Sequence, residues 1–269
     1  MTGAAGRSGF ATGFRRVRIG VLLCVFVFTS AWGAHRVWHR HVRSEWDRPV
    51  QVGVVLLSPR GEVDPEPWIA GVAVLSARLD TEMARWRGPG GSAFDVTLVG
   101  PVRWSGTLPF SPVSGSPLDR ARHAFAVWRT LRDVDRAAEG TVGGFDVRIL
   151  LHCDDAPGTP EGFAEGSGAL NGEVGFVRGS CRGDLSLPLQ AIGHELLHIV
   201  GASDKYDDGG HARAPEGLAD PGRVPPYPQV HAEWMVGEVP LGPGRGRLPE
   251  SLEELRVGEA TAREIGWIR

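Results

Sequence analysis

The chain has 269 residues, 42% of them hydrophobic, with 38 glycines, 20 prolines and a formal net charge of -3. That length suits one globular domain with a short extra segment, or two small domains, and the apolar fraction excludes a disordered chain. The slightly acidic balance argues against a nucleic-acid binder, which carries a basic domain.

Arg7, Arg15, Arg16 and Arg18 precede the apolar run IGVLLCVFVFTSAWGA at residues 19–34, and no acidic residue comes before Glu45. A basic stretch ahead of an apolar run is the pattern of an export signal. The run is short for a spanning helix, which takes about 20 apolar residues. Continuing through Val37 and Trp38 lengthens it, at the expense of including His35 and Arg36. Residues 1–18 therefore read as a basic tail and 19–38 as a signal peptide or an N-terminal membrane anchor, the anchor being preferred. Residues 39–49 read as a linker and 50–269 as the body, divided into subdomains 50–201 and 202–269. The body is expected outside the cytoplasm, tethered to the membrane or secreted after cleavage behind Ala31 or Gly33.

Three cysteines are present: Cys24 in the apolar run, and Cys153 and Cys181 in the body. In an oxidising compartment the latter two could pair, adding about 3 kcal/mol in the chain-entropy model; otherwise they are two unrelated buried thiols. No CxxC pattern suggests a cysteine-ligated metal.

In the body, VQVGVVLL at 50–57 reads as a buried strand, and FDVTLVG at 94–100 and FDVRILLHC at 145–153 read as a second and a third strand. Trp68, Val72, Leu75, Leu79 and Met83 follow three- and four-residue steps and predict a helix over 66–87; a second long helix is expected over 118–139. Strand, helix, strand, helix, strand favours a mostly parallel sheet with right-handed crossovers. A glycine-rich loop then leads to GEVGFVRGS at 172–180, read as a short strand at the sheet edge, and a helix follows over 185–200. Residues 203–247 promise little regular structure, and 249–258 one short helix.

The third helix carries AIGHELLHIVGASDKYD, residues 191–207. His194 and His198 are one turn apart on one face, so both imidazoles can grip one zinc ion. Glu195 cannot easily reach that ion but can reach a water beside it, which is the H-E-x-x-H arrangement of two ligands and a general base. The surrounding Leu189, Ile192, Leu196, Leu197, Ile199 and Val200 are apolar, so the polar trio interrupts an otherwise buried segment. Gly201 can end the helix in a left-handed conformation and turn the chain back, which brings Asp204 into range as the third ligand. The other reading of Asp204 is an Asx-turn or solvated loop acid, and Asp207, Asp208 and His211 are the alternative third ligands; DKYDDGG could also hold calcium, though without the spacing of a known calcium loop.

His194, Glu195, His198, Gly201 and Asp204 together resemble the metzincin clan of zinc endopeptidases. The aspartate, where the clan consensus has histidine, is similar to the snapalysin-like variant. The resemblance implies a metzincin-like α/β (α+β) fold: a mixed, mostly parallel twisted sheet with an antiparallel edge strand, two long helices, an active-site helix and an irregular C-terminal subdomain. It implies one catalytic zinc held by His194, His198 and Asp204, with Glu195 as the base. It also implies a methionine in a tight turn below the metal, for which Met235 in HAEWMVGEVP stands as candidate, its other reading being core filler. Peptide or protein substrate would lie along the edge strand at 172–180. No tyrosine stands two residues after Met235, where Gly237 is found; Tyr206 or Tyr227 could support the transition state, though a structural role is the other reading of each. Two other readings stay open: a gluzincin-type peptidase with Glu216 or Glu233 as third ligand, and an inactive exported binding module with the same fold.

Overall fold

The computed structural model describes residues 18–24, 26–27, 29–31, 33–34, 45–110, 115–154, 163–168 and 172–268. Strand β1 (Val50–Ser58) has no charged side chain and is buried along almost its whole length. Helix α1 (Glu66–Arg87) opens with proline in its first turn and stops at Gly88, where φ is +85°. It leads to β2 (Phe94–Arg103), and α2 (Pro117–Ala137), which starts on a Ser116–Asp119 capping box, leads to β3 (Val147–Cys153). Strands β4 (Ala164–Gly168) and β5 (Val174–Gly179) and helix α3 (Ser186–Val200) follow.

The five strands form one sheet in the order β2-β1-β3-β5-β4. All neighbours are parallel except β4, which runs antiparallel to β5. The protein is thus a mixed α/β structure with a mostly parallel sheet. Successive side chains of β1 enter opposite layers, as a strand requires. Val52, Val54 and Leu56 join Trp68, Leu75, Ile192 and Leu196 on the side of α1 and α3. Val55 and Leu57 join Val134, Leu150 and Phe176 on the side of α2.

The edge strand is not where the sequence placed it. β5, within 172–180, pairs with strands on both sides, and the edge is AEGSG at 164–168, inside the stretch read as a glycine-rich loop. Two further expectations shift. Residues 249–258 hold only a single 3₁₀ turn, Leu252–Glu254, and a two-residue strand β9 (Leu255–Arg256); the helix comes later, as α4 (Glu259–Glu264). Trp46, assigned to the linker, is buried against Phe94 and Trp267 and donates its indole N–H to the Ile265 carbonyl at 2.7 Å. The compact body therefore begins at Trp46.

Among the described residues no helix is long and apolar enough to cross a membrane, which overturns the N-terminal anchor and transmembrane assignment. The described residues between 18 and 34 are helical, but the apolar run is interrupted by Gly20, Thr29, Ser30 and Gly33 and falls short of the roughly 20 residues a span needs. The basic tail at 1–17 and the linker at 39–44 lie outside the described residues.

The segment beyond α3 has little regular structure: β6 (Ala232–Glu233) pairs with β9, and β7 (Val239–Gly242) with β8 (Arg245–Arg247). Buried charge ties it to the rest. Arg78 of α1 donates to the carbonyls of Leu252 and Leu255, and its neighbour Glu82 accepts from Arg256 at 2.9 Å and from the Val257 N–H at 2.9 Å. Such groups are stable in a core only when each is paired, as here.

Cys153 at the end of β3 and Cys181 beyond β5 are joined in a disulfide, 28 residues apart. Closing a loop of that length stabilises by about 3 kcal/mol. Cys153→Ser is expected to lower the urea midpoint of unfolding correspondingly, and reductant to shift the parent protein to the same midpoint without moving the variant.

Candidate metal centre

Helix α3 buries Leu189, Ile192, Leu196, Leu197, Ile199 and Val200, so its position against the sheet is fixed by apolar contact on nearly every side. His194 and His198 stand on the remaining face, with ring centroids 4.6 Å apart and planes at 84°. Each ring is oriented by a backbone carbonyl. His194 Nδ1 lies 3.2 Å from the Trp234 oxygen and His198 Nδ1 2.8 Å from the Ala202 oxygen. A carbonyl can only accept, so each Nδ1 carries a proton and each Nε2 of the neutral ring presents a lone pair.

Both lone pairs meet Asp204. Gly201 ends α3 at φ +120°, a conformation that favours glycine, and the chain reverses. Asp204 Oδ1 then stands 3.2 Å from His194 Nε2 and 3.2 Å from His198 Nε2. Neither approach has hydrogen-bond geometry, and Oδ1 is a buried oxygen with no hydrogen-bond partner. One ligand atom from each of the three residues lies within 4.8 Å of the others, so the cluster could hold a metal ion. Burial opposes the charge on Asp204, but the two imidazoles, when they are protonated, outweigh it and hold its pKa far below the usual carboxylate range. Burial likewise opposes the charge on His198, and there Asp204 and the Ala202 carbonyl outweigh it and raise the pKa.

Glu195 is only 3% exposed, and its Oε2 has no hydrogen-bond partner. Burial raises its pKa, an effect the two imidazoles offset only in part. Its carboxylate lies directly under β4: a Cβ added at Gly166 would sit 2.2 Å from Oε1, and one at Gly168 2.4 Å from Oε2. The edge strand can pass over this residue only because those two positions lack side chains. His194, Glu195, His198, Asp204, Gly166 and Gly168 all line one cleft of about 690 Å³.

The remaining sequence candidates fall as follows. Tyr206 lines the same cleft, and burial together with the charge of Asp204 pushes its pKa up to about 12. Tyr227 does not line it. Asp207 caps a turn, accepting from the N–H groups of Gly209 and His211; with Asp208 it stays outside the cluster. His211 faces Glu238, and Glu216 faces Arg213. Glu233 is fully buried and spent on the Met235 N–H, the Gly258 N–H and the Thr261 hydroxyl. Met235 is buried at the head of a turn in which Val236 and Gly237 both donate to the Glu233 carbonyl.

Several supporting residues escaped the sequence reading. Trp234 lies flat against α3: a Cβ on Gly193 would fall 2.4 Å from its ring, and its indole donates to the Gln190 carbonyl at 3.2 Å. The Asp204 loop is clamped on both flanks by Glu264 of α4, which accepts from the Ser203 N–H at 2.8 Å, the Ser203 hydroxyl at 2.9 Å and Lys205 Nζ at 2.7 Å. Lys205 is itself 2% exposed, and its backbone N–H donates to the Met235 carbonyl at 3.1 Å. Partners 59 and 61 positions apart leave no local pattern to read.

No family model matches the chain. No curated protein matches it in sequence. What the cluster does must therefore be argued from its own chemistry.

Groups that orient a ligand from behind are worth about 10- to 100-fold in metal affinity. Glu264→Ala is expected to weaken metal retention by about that factor in competition with a chromophoric chelator, while Arg263→Ala on the same helix leaves it unchanged. Equal retention in the Glu264→Ala protein would remove the clamp from the account of the site.

Proposed function

We propose that the chain is a zinc-dependent endopeptidase of the metzincin type, with aspartate in place of the clan's third histidine. The observation that carries this reading is the convergence of two oriented imidazole Nε2 atoms and one orphaned carboxylate oxygen beside a buried, unpartnered glutamate. Two nitrogens and one oxygen, with the fourth side open to a cleft, fit the donor set of a catalytic zinc. A structural site would have no use for Glu195. The strand order, the antiparallel edge and the buried turn at Met235 agree with the same reading.

Zinc held there would acidify a water molecule and polarise a substrate carbonyl. The residues of the chain supply the rest. Among the described residues β4 pairs only with β5, leaving its other edge for an extended peptide to join by main-chain hydrogen bonds. Gly166 and Gly168 bring that peptide close to Glu195 with no side chain between. Glu195 Oε2 takes a proton from the attacking water and returns it to the nitrogen of the leaving amine; its raised pKa suits a group that must do both near neutrality. Tyr206, protonated at neutral pH, offers its hydroxyl at the rim of the cleft.

The disulfide supports a place of work outside the cytoplasm, because cytosolic reductants keep thiols apart. The basic residues ahead of an apolar run agree with export. The gluzincin reading loses its support with Glu216 at the surface beside Arg213 and Glu233 committed to hydrogen bonds.

The test is the purified full chain with Glu195→Gln and Asp204→Ala beside it. The parent should hold one zinc and cleave an unfolded protein substrate. Glu195→Gln should keep the zinc and lose about 10²- to 10⁴-fold in turnover; Asp204→Ala should lose the zinc. A parent that binds zinc but cleaves nothing, with Glu195→Gln indistinguishable from it, would leave a metal-bearing binding module.

A further inference from the structure

Helix α2 presents to the sheet only a narrow face. Thr130 and Val134 are its fully buried residues, with Val127 and Leu131 packed beside them. The opposite face carries Leu118, Phe125 and Trp128, which are 59, 61 and 51% exposed. Their spacing of seven and three residues sets them on one side of the helix. Arg122, Arg129, Arg132 and Arg136 rise on that side at three-, four- and seven-residue steps. The Phe125 and Trp128 rings touch, with centroids 5.6 Å apart, and the Arg132 guanidinium lies 5.3 Å from the Trp128 ring centroid.

Aspartates balance part of this charge and leave a surplus of arginine. Asp119, Asp133 and Asp135 stand at its margins; Asp119 lies 3.5 Å from Arg122, and Asp133 is shared by Arg129 and Arg136. Five arginines against three aspartates make α2 positive in a chain whose net charge is -3. Apolar surface of this kind, exposed and set among a surplus of arginines, marks a surface that meets something.

The charge decides what. A second copy of the chain, docked face to face, would set four arginines against four. A peptide needs a groove or a strand edge, and among the described residues α2 contributes nothing to the cleft beside His194 or to the two smaller clefts near Trp86 and Pro215. A flat surface with anionic groups outermost and apolar matter just beneath matches both components: the guanidiniums meet phosphates, and the rings enter the interface.

We propose that α2 is a peripheral docking face for an anionic phospholipid surface. Among the described residues no element crosses the bilayer in this arrangement. The contact is independent of the metal centre, so Glu195→Gln should bind as the parent does.

The experiment is sedimentation of the full chain with mixed phosphatidylcholine–phosphatidylglycerol vesicles and with pure phosphatidylcholine vesicles. The parent should prefer the anionic vesicles, and added salt should weaken the binding. Phe125→Ala/Trp128→Ala should bind them about tenfold more weakly, and Arg129→Gln/Arg132→Gln similarly, with unchanged thermal unfolding because all four side chains are exposed. The apolar residues at 19–34 remain in every variant, so anionic-vesicle binding that survives both changes would assign the contact to that segment and overturn the proposal. No preference for phosphatidylglycerol would overturn it as well, as would patch-dependent binding to DNA or an acidic peptide without vesicle binding.

Discussion

A carboxylate oxygen held 3.2 Å from two imidazole nitrogens, with no hydrogen bond of its own, is an arrangement a folded chain does not reach by default. Asp204 would be better hydrated if its loop swung outward. It is kept inward because Gly201 reverses the chain, Ser203 and Lys205 on either side of it are bonded to Glu264, and the Lys205 N–H is bonded to Met235. The same turn orients His194 through the Trp234 carbonyl. The candidate metal cluster and the segment behind it are therefore one mechanical unit: to loosen the turn at Met235 is to loosen both a histidine and the aspartate.

That unit is assembled with little secondary structure, and buried carboxylates take its place. Glu233, on β6, gathers two backbone N–H groups and a hydroxyl from the Met235 turn and the start of α4. Glu82 gathers the Val257 N–H and the guanidiniums of Arg78 and Arg256. Glu264 gathers Ser203 and Lys205. Each carboxylate accepts several bonds at once, so each can satisfy stretches of backbone that have no ladder to join. The dependence runs one way: an uncompensated buried charge is far more harmful than a lost surface pair, so removing one partner disturbs every segment the carboxylate joins.

What could be read in advance was what is written locally. β1, β2 and β3 are apolar runs bounded by turns, and α1 shows its period in Trp68, Val72, Leu75, Leu79 and Met83, all buried. The histidines and Glu195 lie within five positions of one another, so helical geometry alone brings them together. β4 was missed because AEGSG has neither apolar alternation nor β-branched residues; it becomes a strand by pairing with β5, a tertiary fact. The sequence of β5 does not show that it is internal for the same reason, since nothing in GFVRG distinguishes a strand with one neighbour from a strand with two. Trp46 and the Glu264 clamp were illegible because their partners are more than fifty positions away.

The glycine content, which the sequence presents as a sign of loops, has a second origin. Gly166, Gly168 and Gly175 face Glu195 from two adjacent strands, where added Cβ atoms would stand 2.2, 2.4 and 3.2 Å from its side chain. Gly193 faces the Trp234 ring from α3. These are contacts between regular elements, and glycine weakens strands and helices by itself. The intrinsic penalty is accepted at the points where a strand must pass close over a carboxylate and where a tryptophan must lie against a helix. Both lie within one residue of His194, at Glu195 and Gly193, so the glycines that look least like structure are the ones that shape the site.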